Sequence, residues 1–206
     1  MTASALGRWD PLRVDDVAAL LEGCEARWWL SGGVAIDHWL GRTTRPHGDI
    51  DVSVAEADWP AAEAHLARTF EMLVASNGRL LRPSELGPGD PAHNRWARAH
   101  SGGPWRLQLN LEPVDEGSRW RYRRDRRLTR PLAKVVRTIG GVPTVNPGVQ
   151  LLGKAEQPRP VDELDRAAVL SALDEHERRW LDHAIATAHP GSPWCVATGS
   201  GAAGDG

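Results

Sequence analysis

Between Trp29 and Val54 the chain passes from a short apolar run into Ser31-Gly32-Gly33. Two turns' worth of apolar residues follow, then a polar loop, then an alternating stretch that opens with two carboxylates, Asp49 and Asp51. This order leaves few folds open, because it predicts a strand, a glycine turn, a short helix, a loop and a second strand in close succession. Glycines without a Cβ let backbone amides come close to a phosphate, and a helix beginning there aims its unpaired N–H groups and positive dipole end at the same place. Asp49 and Asp51 stand at i and i+2, so on a strand they share a face with Cα atoms about 6.5 to 7 Å apart, near enough to hold one divalent cation. The two halves together predict a metal-triphosphate site.

The rest of the 206 residues excludes other classes. A net charge of -2 gives no global reason to bind nucleic acid, so contact with a polyanion must be local. Cys24 and Cys195 have no partners at zinc-ligand spacing and imply no disulfide framework. The first residues lack an apolar core of the secretory kind, and no run approaches the roughly 18 apolar residues of a membrane span, which predicts a cytoplasmic protein.

Read in order, residues 11–26 predict a first helix and Trp28 to Leu30 a strand. Val34 to Leu40 is a helix stopped by Gly41, and Ile50, Val52 and Val54 alternate as a half-buried strand. An amphipathic helix follows over 57–70, with short strands over 71–75 and 79–82 and a loop from Pro83 to Ala92. Residues 105–112 give the cleanest alternation: Leu107, Leu109 and Leu111 on one face, Arg106, Gln108, Asn110 and Glu112 on the other. Seven arginines then fall in the twelve positions 119–130, where alternation with Trp120 and Tyr122 fits a strand and its solvated turn better than a nucleic-acid arm. A strand over 135–139, a turn at Gly140-Gly141 and a return to Asn146 precede helices over 147–155, 161–173 and 175–188, the last two split by Asp174. The fold class is α+β: a small mixed sheet with flanking helices over 1–146, a helical part over 147–195 and a disordered tail over 196–206.

Ser31-Gly32-Gly33 followed at this interval by Asp49-Ile50-Asp51 resembles the signature of the polymerase-beta-type nucleotidyltransferases. The longer run Gly-Gly-Val-Ala-Ile-Asp-His-Trp-Leu-Gly-Arg-Thr-Thr-Arg-Pro-His-Gly-Asp-Ile-Asp is similar to the aminoglycoside and lincosamide nucleotidyltransferases. The likeness covers about residues 28–54, with a weaker extension through Arg-Arg-Asp and Val-Gln-Leu-Leu-Gly-Lys. It implies a Mg²⁺-dependent enzyme that moves a nucleotidyl group from a nucleoside triphosphate such as ATP to a hydroxyl of a small antibiotic-like acceptor. Asp49 and Asp51 would hold the Mg²⁺, and Ser31, Gly32 and Gly33 the triphosphate. Phosphoryl chemistry of this kind is served by cations that neutralise charge on the attacking and leaving oxygens.

The family also supplies a third carboxylate from the neighbouring strand. Here that strand carries the neutral amides Gln108 and Asn110, neither able to act as a base, and only Glu112, at its end, is acidic. Glu112 either takes the catalytic role with a shifted geometry or leaves the site weakened, and a nucleotide-sensing or partner-binding module on the same fold is the competing reading. Arg45 and His47 either touch the nucleotide or buttress the Asp pair, or else are surface residues of a polar loop. Lys154, amid Leu151, Leu152 and Ala155, reaches a phosphate or snorkels to the surface. Asp37 pairs structurally with a loop arginine. An aspartyl phosphatase would need a hydrophobic strand where Arg45-Pro46-His47-Gly48 stands, and a metal-dependent glycosyltransferase would not call for the glycine turn.

Overall fold

In the computed structural model, which describes residues 6–195, the elements follow as α1 Val14–Leu20, β1 Trp28–Ser31, α2 Gly32–Leu40, β2 Asp51–Ala55, α3 Trp59–Leu66, β3 Glu71–Ser76, β4 Arg79–Leu81, β5 Asn94–Arg98, β6 Leu107–Glu112, β7 Arg119–Arg121, β8 Thr129–Pro131, α4 Leu132–Val135, β9 Val136–Ile139, β10 Val142–Val145, α5 Pro147–Lys154, α6 Pro160–Leu170 and α7 Glu175–Ala188. The expected tail over 196–206 lies outside the described residues. The architecture is α+β. One eight-stranded mixed sheet runs β4-β3-β5-β6-β2-β1-β10-β9, and β7 and β8 form a separate hairpin.

The centre of the sheet carries the most apolar strands. Leu30, Val52, Val54, Leu107 and Leu109 are all fully buried, and β2 lies between antiparallel β1 and parallel β6. Because β-strand side chains alternate, the face opposite this core receives Asp51, Ser53, Gln108, Asn110 and Glu112. Register fixes who meets whom: Asp51 stands opposite Ser31 on one side and Gln108 on the other, whereas Glu112 stands opposite Ala55.

Several boundaries differ from the sequence reading. The first helix is only Val14–Leu20, because the residues before it pair with the lead-in to β6, Asp10 N and Leu12 N donating to the carbonyls of Trp105 and Arg106 at 3.0 and 2.9 Å. Residues 57–70 open with a 3-10 turn over Glu56–Asp58, and the helix proper is Trp59–Leu66. β5 is a strand that the sequence reading lacks. It lies between β3 and β6, and its buried positions are Arg95 and Ala97. An arginine at a buried position hides the apolar alternation; its guanidinium lies 5.4 Å from the Trp59 ring centre. Asp174 does separate the last two helices, its carboxylate accepting from Glu177 N at 2.8 Å as the cap of α7.

The C-terminal helices pack against α2 and against one another. α5 and α6 both touch α2. Asn146 caps α5 through Gly148 N at 2.8 Å and donates to Glu177 of α7 at 3.0 Å. Glu177 also accepts from Arg130 of β8, whose guanidinium lies 4.2 Å from the Trp180 ring centre. Among the described residues no helix is long and apolar enough to cross a membrane.

Candidate active site

The mixed sheet, α5 and the β7–β8 hairpin enclose a cavity of about 650 Å³. Its wall contains Ser31, Gly32, Gly33, Arg45, Asp49, Asp51, Glu112 and Lys154, whereas His47 lies outside it, bonded to Asp37. Residues more than a hundred positions apart meet there because β1 and β2 are antiparallel neighbours and α5 packs across the start of α2.

The glycine turn works differently from a bare phosphate loop. Gly32 has φ +73, in the left-handed region, and a Cβ on it would lie 2.0 Å from Asp51 Oδ2. Its amide donates to Gln150 Oε1 of α5 at 2.8 Å. At Gly33 a Cβ would fall 2.6 Å from both Arg45 Nη2 and His47 Nδ1. Each glycine thus makes room for a side chain of this protein. Ser31, the N-cap of α2, makes no side-chain capping bond, and its buried hydroxyl has no hydrogen-bond partner. An orphaned hydroxyl at a helix start is suited to an incoming anionic oxygen.

Asp49 precedes β2 and is exposed, and among the described residues no hydrogen bond reaches its carboxylate. Asp51 is held firmly: its Oδ1 accepts from Gln108 Nε2 at 2.6 Å and from Asn110 Nδ2 at 3.1 Å. Burial and the neighbouring Asp49 charge push the Asp51 carboxyl up to about 6, against the opposing pull of Asn110, Lys154 and Gln108. Two carboxylates this close, with the charge of one disfavoured by the other, fit a divalent cation. Among the described residues no cluster of three or more His, Cys, Asp or Glu could hold a metal. The donor set is therefore two carboxylates, with the remaining positions left to phosphate and water, a composition that suits Mg²⁺ better than a dedicated all-protein cage would.

Glu112 does not join this pair. Four residues separate its register position from that of Gln108, about 13 Å along a strand. Its Oε2 accepts from Trp120 Nε1 at 2.9 Å, and Arg123 Nη1 stands 3.8 Å from Oε1. Burial raises its pKa despite Arg123 and Trp120. The structure thus brings together seven of the eight residues and puts Glu112 at the cavity's other end.

Arg45 and Lys154 share an ionic cluster with two aspartates of α6. Arg45 grips Asp165 with Nε and Nη2 at 2.8 and 2.9 Å, and Lys154 Nζ lies 2.7 Å from Asp162 and 3.0 Å from Asp165. Lys154 is neither snorkelling nor surface: its side chain is 10 % exposed. Burial alone would raise Asp162 and Asp165, but Arg159 and Lys154 hold the first, and Arg45 and Lys154 the second, below the usual carboxylate range. With Arg159, three cations face the two aspartates of α6, while Asp51 stands against the glycine turn itself. Asp37 pairs with His47 Nε2 at 2.7 Å and accepts from Thr44, not from a loop arginine as expected. The shorter histidine and threonine reach back across a seven- to ten-residue loop that Arg45 leaves to meet α6.

Gln150, Arg123 and Arg124 line the cavity in segments of the weaker likeness to which the sequence assigned no role, and Asp162 and Asp165, which hold Arg45 and Lys154, are residues that sequence reasoning missed. Gln150 had a signal, since it stands at i, i+4 with Lys154 and so shares its helix face.

Over residues 13–84 the chain matches the profile of the aminoglycoside-2″-adenylyltransferase family. No curated protein matches it. A lincosamide antibiotic adenylyltransferase solved with lincomycin superposes with a TM-score of 0.56 at 14% identity, over 80% of this chain and 100% of that one. ANT(2″)-Ia in complex with adenylyl-2″-tobramycin superposes with a TM-score of 0.54 at 19% identity, over 84% and 95% of the two chains. The chain therefore has the nucleotidyltransferase fold of these structures, and its strand–glycine turn–helix–strand segment carries the sequence pattern of the aminoglycoside-2″-adenylyltransferase family.

Proposed function

We propose that this protein transfers a nucleotidyl group from a nucleoside triphosphate, ATP in the first instance, to a hydroxyl of a small molecule. The observation that carries this reading is the convergence of Ser31, Gly32, Gly33, Asp49, Asp51, Arg45 and Lys154 on one cavity. Asp49 and Asp51 would hold Mg²⁺, which when bound neutralises charge on the reacting phosphate oxygens. Ser31 offers its unpartnered hydroxyl to the triphosphate, and Arg45, Lys154 and Arg159 are the cations at hand for its charge. The acceptor oxygen forms a bond to the α-phosphorus in line with the departing pyrophosphate, whose bridging bond breaks. Gln108 and Asn110 cannot take the acceptor's proton, and they orient Asp51 instead. Glu112 is too distant, so Asp49, whose oxygens carry no hydrogen bond, is the carboxylate left to receive it.

The amides on Asp51 favour one second reading, a nucleotide-sensing or partner-binding module that binds Mg²⁺-nucleotide without turnover. Both readings are tested by incubating the protein with Mg²⁺, each nucleoside triphosphate and a panel of aminoglycosides, lincosamides and simple hydroxylated compounds. A mass gain of one nucleotidyl group on an acceptor, lost in Asp49→Asn and Asp51→Asn, is the expected result. Mg²⁺-dependent nucleotide binding without any transfer would select the sensing module. Nucleotide affinity unchanged in Asp51→Asn would remove the site altogether.

A further inference from the structure

The cavity continues past Asn110 to an end away from the glycine turn, walled by Glu112, Trp120, Tyr122, Arg123 and Arg124. Arg124 is committed to structure: Nη1 donates to Tyr122 Oη at 3.1 Å and to the Gly153 carbonyl at 2.6 Å, and Nε lies 3.2 Å from Glu156. Arg123 is not. Among the described residues its carboxylate neighbour is Glu112, whose Oε1 lies 3.8 Å from Nη1, an ion pair beyond hydrogen-bond distance, and no acceptor meets the buried Nη1. A buried guanidinium nitrogen without an acceptor is costly and uncommon, so its geometry asks for an oxygen that the described residues do not supply. Glu112 is a poor candidate, since Trp120 already occupies Oε2 and burial disfavours its charged form.

The field at this end has the same sign. His93, whose carbonyl accepts from Leu111 N at 2.7 Å beside the end of β6, is driven down to about 4 by burial and by the charges of Arg123, Arg124 and Arg95. A ligand here therefore meets arginine charge. A polycation would meet the charges of Arg123 and Arg124, with the Glu112 charge disfavoured by burial and by Glu56, and the Glu156 carboxylate already paired to Arg124.

We propose that this end of the cavity seats the acceptor, and that Arg123 selects acceptors carrying an acidic group, carboxylate or phosphate, over polycationic ones. The inference rests on the reading of the glycine-turn end as the nucleotide site. The acceptor class is then a hydroxylated acid, and Arg123 is its specificity residue.

The test uses four compounds with nearly the same hydroxyl pattern and different charge: galacturonate, galactose 6-phosphate, galactose and galactosamine. Each is titrated calorimetrically against full-length protein saturated with Mg²⁺ and a non-hydrolysable ATP analogue, and each is assayed for pyrophosphate release with Mg²⁺-ATP. The expected result is tighter binding of at least one acidic sugar than of galactose by about 10-fold or more, the scale of a charge-assisted hydrogen bond, with galactosamine weakest. Arg123→Gln should bring that preference close to unity. Galacturonate and the 6-phosphate separate the two sources of acidity. Equal or better use of galactosamine, no sugar binding to the nucleotide-loaded protein, or a preference unchanged in Arg123→Gln would each overturn the inference. So would a loss of Mg²⁺-ATP affinity in Arg123→Gln without any acid preference in the wild type, which would assign the arginine to the nucleotide. Failure of the underlying reading is distinct, because then the wild type would show no Mg²⁺-dependent nucleotide affinity at all.

Discussion

Gly32 joins backbone strain, packing and the site in one atom's absence. Its φ of +73 is a conformation that side chains rarely adopt, and the space a Cβ would need is held by Asp51 Oδ2 at 2.0 Å. Gly41 is the matching control, with φ +66 and nothing within 4 Å of its would-be Cβ. Both Gly32→Ala and Gly41→Ala should lose about 1 to 3 kcal/mol to left-handed strain. Gly32→Ala should lose more and should also cut Mg²⁺-nucleotide affinity by displacing Asp51, while Gly41→Ala should leave that affinity intact. Urea unfolding and calorimetric titration of the two variants read the split, and equal effects on nucleotide affinity would show that the 2.0 Å contact does not matter. The sequence made the glycine pair legible as a turn beside two aspartates. It did not reveal the physical reason for each glycine, because the crowding atoms belong to Asp51, Arg45 and His47, brought in only by sheet register and loop closure.

β6 was the most legible element, because three leucines alternating with polar residues admit only one face for the core, and Leu107 and Leu109 are fully buried. β5 was opaque for the converse reason: Arg95 occupies a buried position on it, and the sequence has no way to announce that Trp59 will cover the guanidinium. The same alternation that made β6 readable also raised the question of its missing acid, and register answers part of it. Asn110 Nδ2 is 3.1 Å from Asp51 Oδ1, so Asn110→Asp would set a third carboxylate beside the first two. Without metal this exchanges a hydrogen bond for like-charge repulsion and should lower stability by about 1 kcal/mol or more. With Mg²⁺ the loss should be reversed, because the added ligand raises cation affinity. Nucleotidyl transfer should rise by about 10²-fold or more if a positioned base is what the wild type lacks. Thermal melts of Asn110→Asp in EDTA and in Mg²⁺ check the first two; a variant equally stable in both would show that residue 110 does not face the cation.

At the scale of the whole molecule the site is a junction of distant pieces. The 42–48 loop is fastened to α6 by Arg45 and Asp165, α5 to α6 by Lys154, and the hairpin to α5 by Arg124. None of these links has a local sequence signature: the Arg45–Asp165 partners lie 120 residues apart. The positive corner formed where β5, β6 and the 119–130 segment meet also governs how the fold answers acid. His93 has a folded-state pKa near 4, below the ordinary histidine value of about 6.5. Between these values the unfolded chain binds a proton that the folded chain refuses. Stability from this group is therefore complete above about pH 6.5, falls as pH drops from there to about 4, and is flat below. Partial exposure and solvent screening limit the loss to about 1 kcal/mol. His93→Gln should abolish this component. Comparing urea midpoints of wild type and variant at pH 7 and pH 4.5 isolates it, because every other titrating group is common to both, Asp51 included. The wild type should lose more stability between the two pH values than His93→Gln does. An equal loss would mean that Arg95, Arg123 and Arg124 do not press on this imidazole, and the positive field at the acceptor end would lose one of its supports.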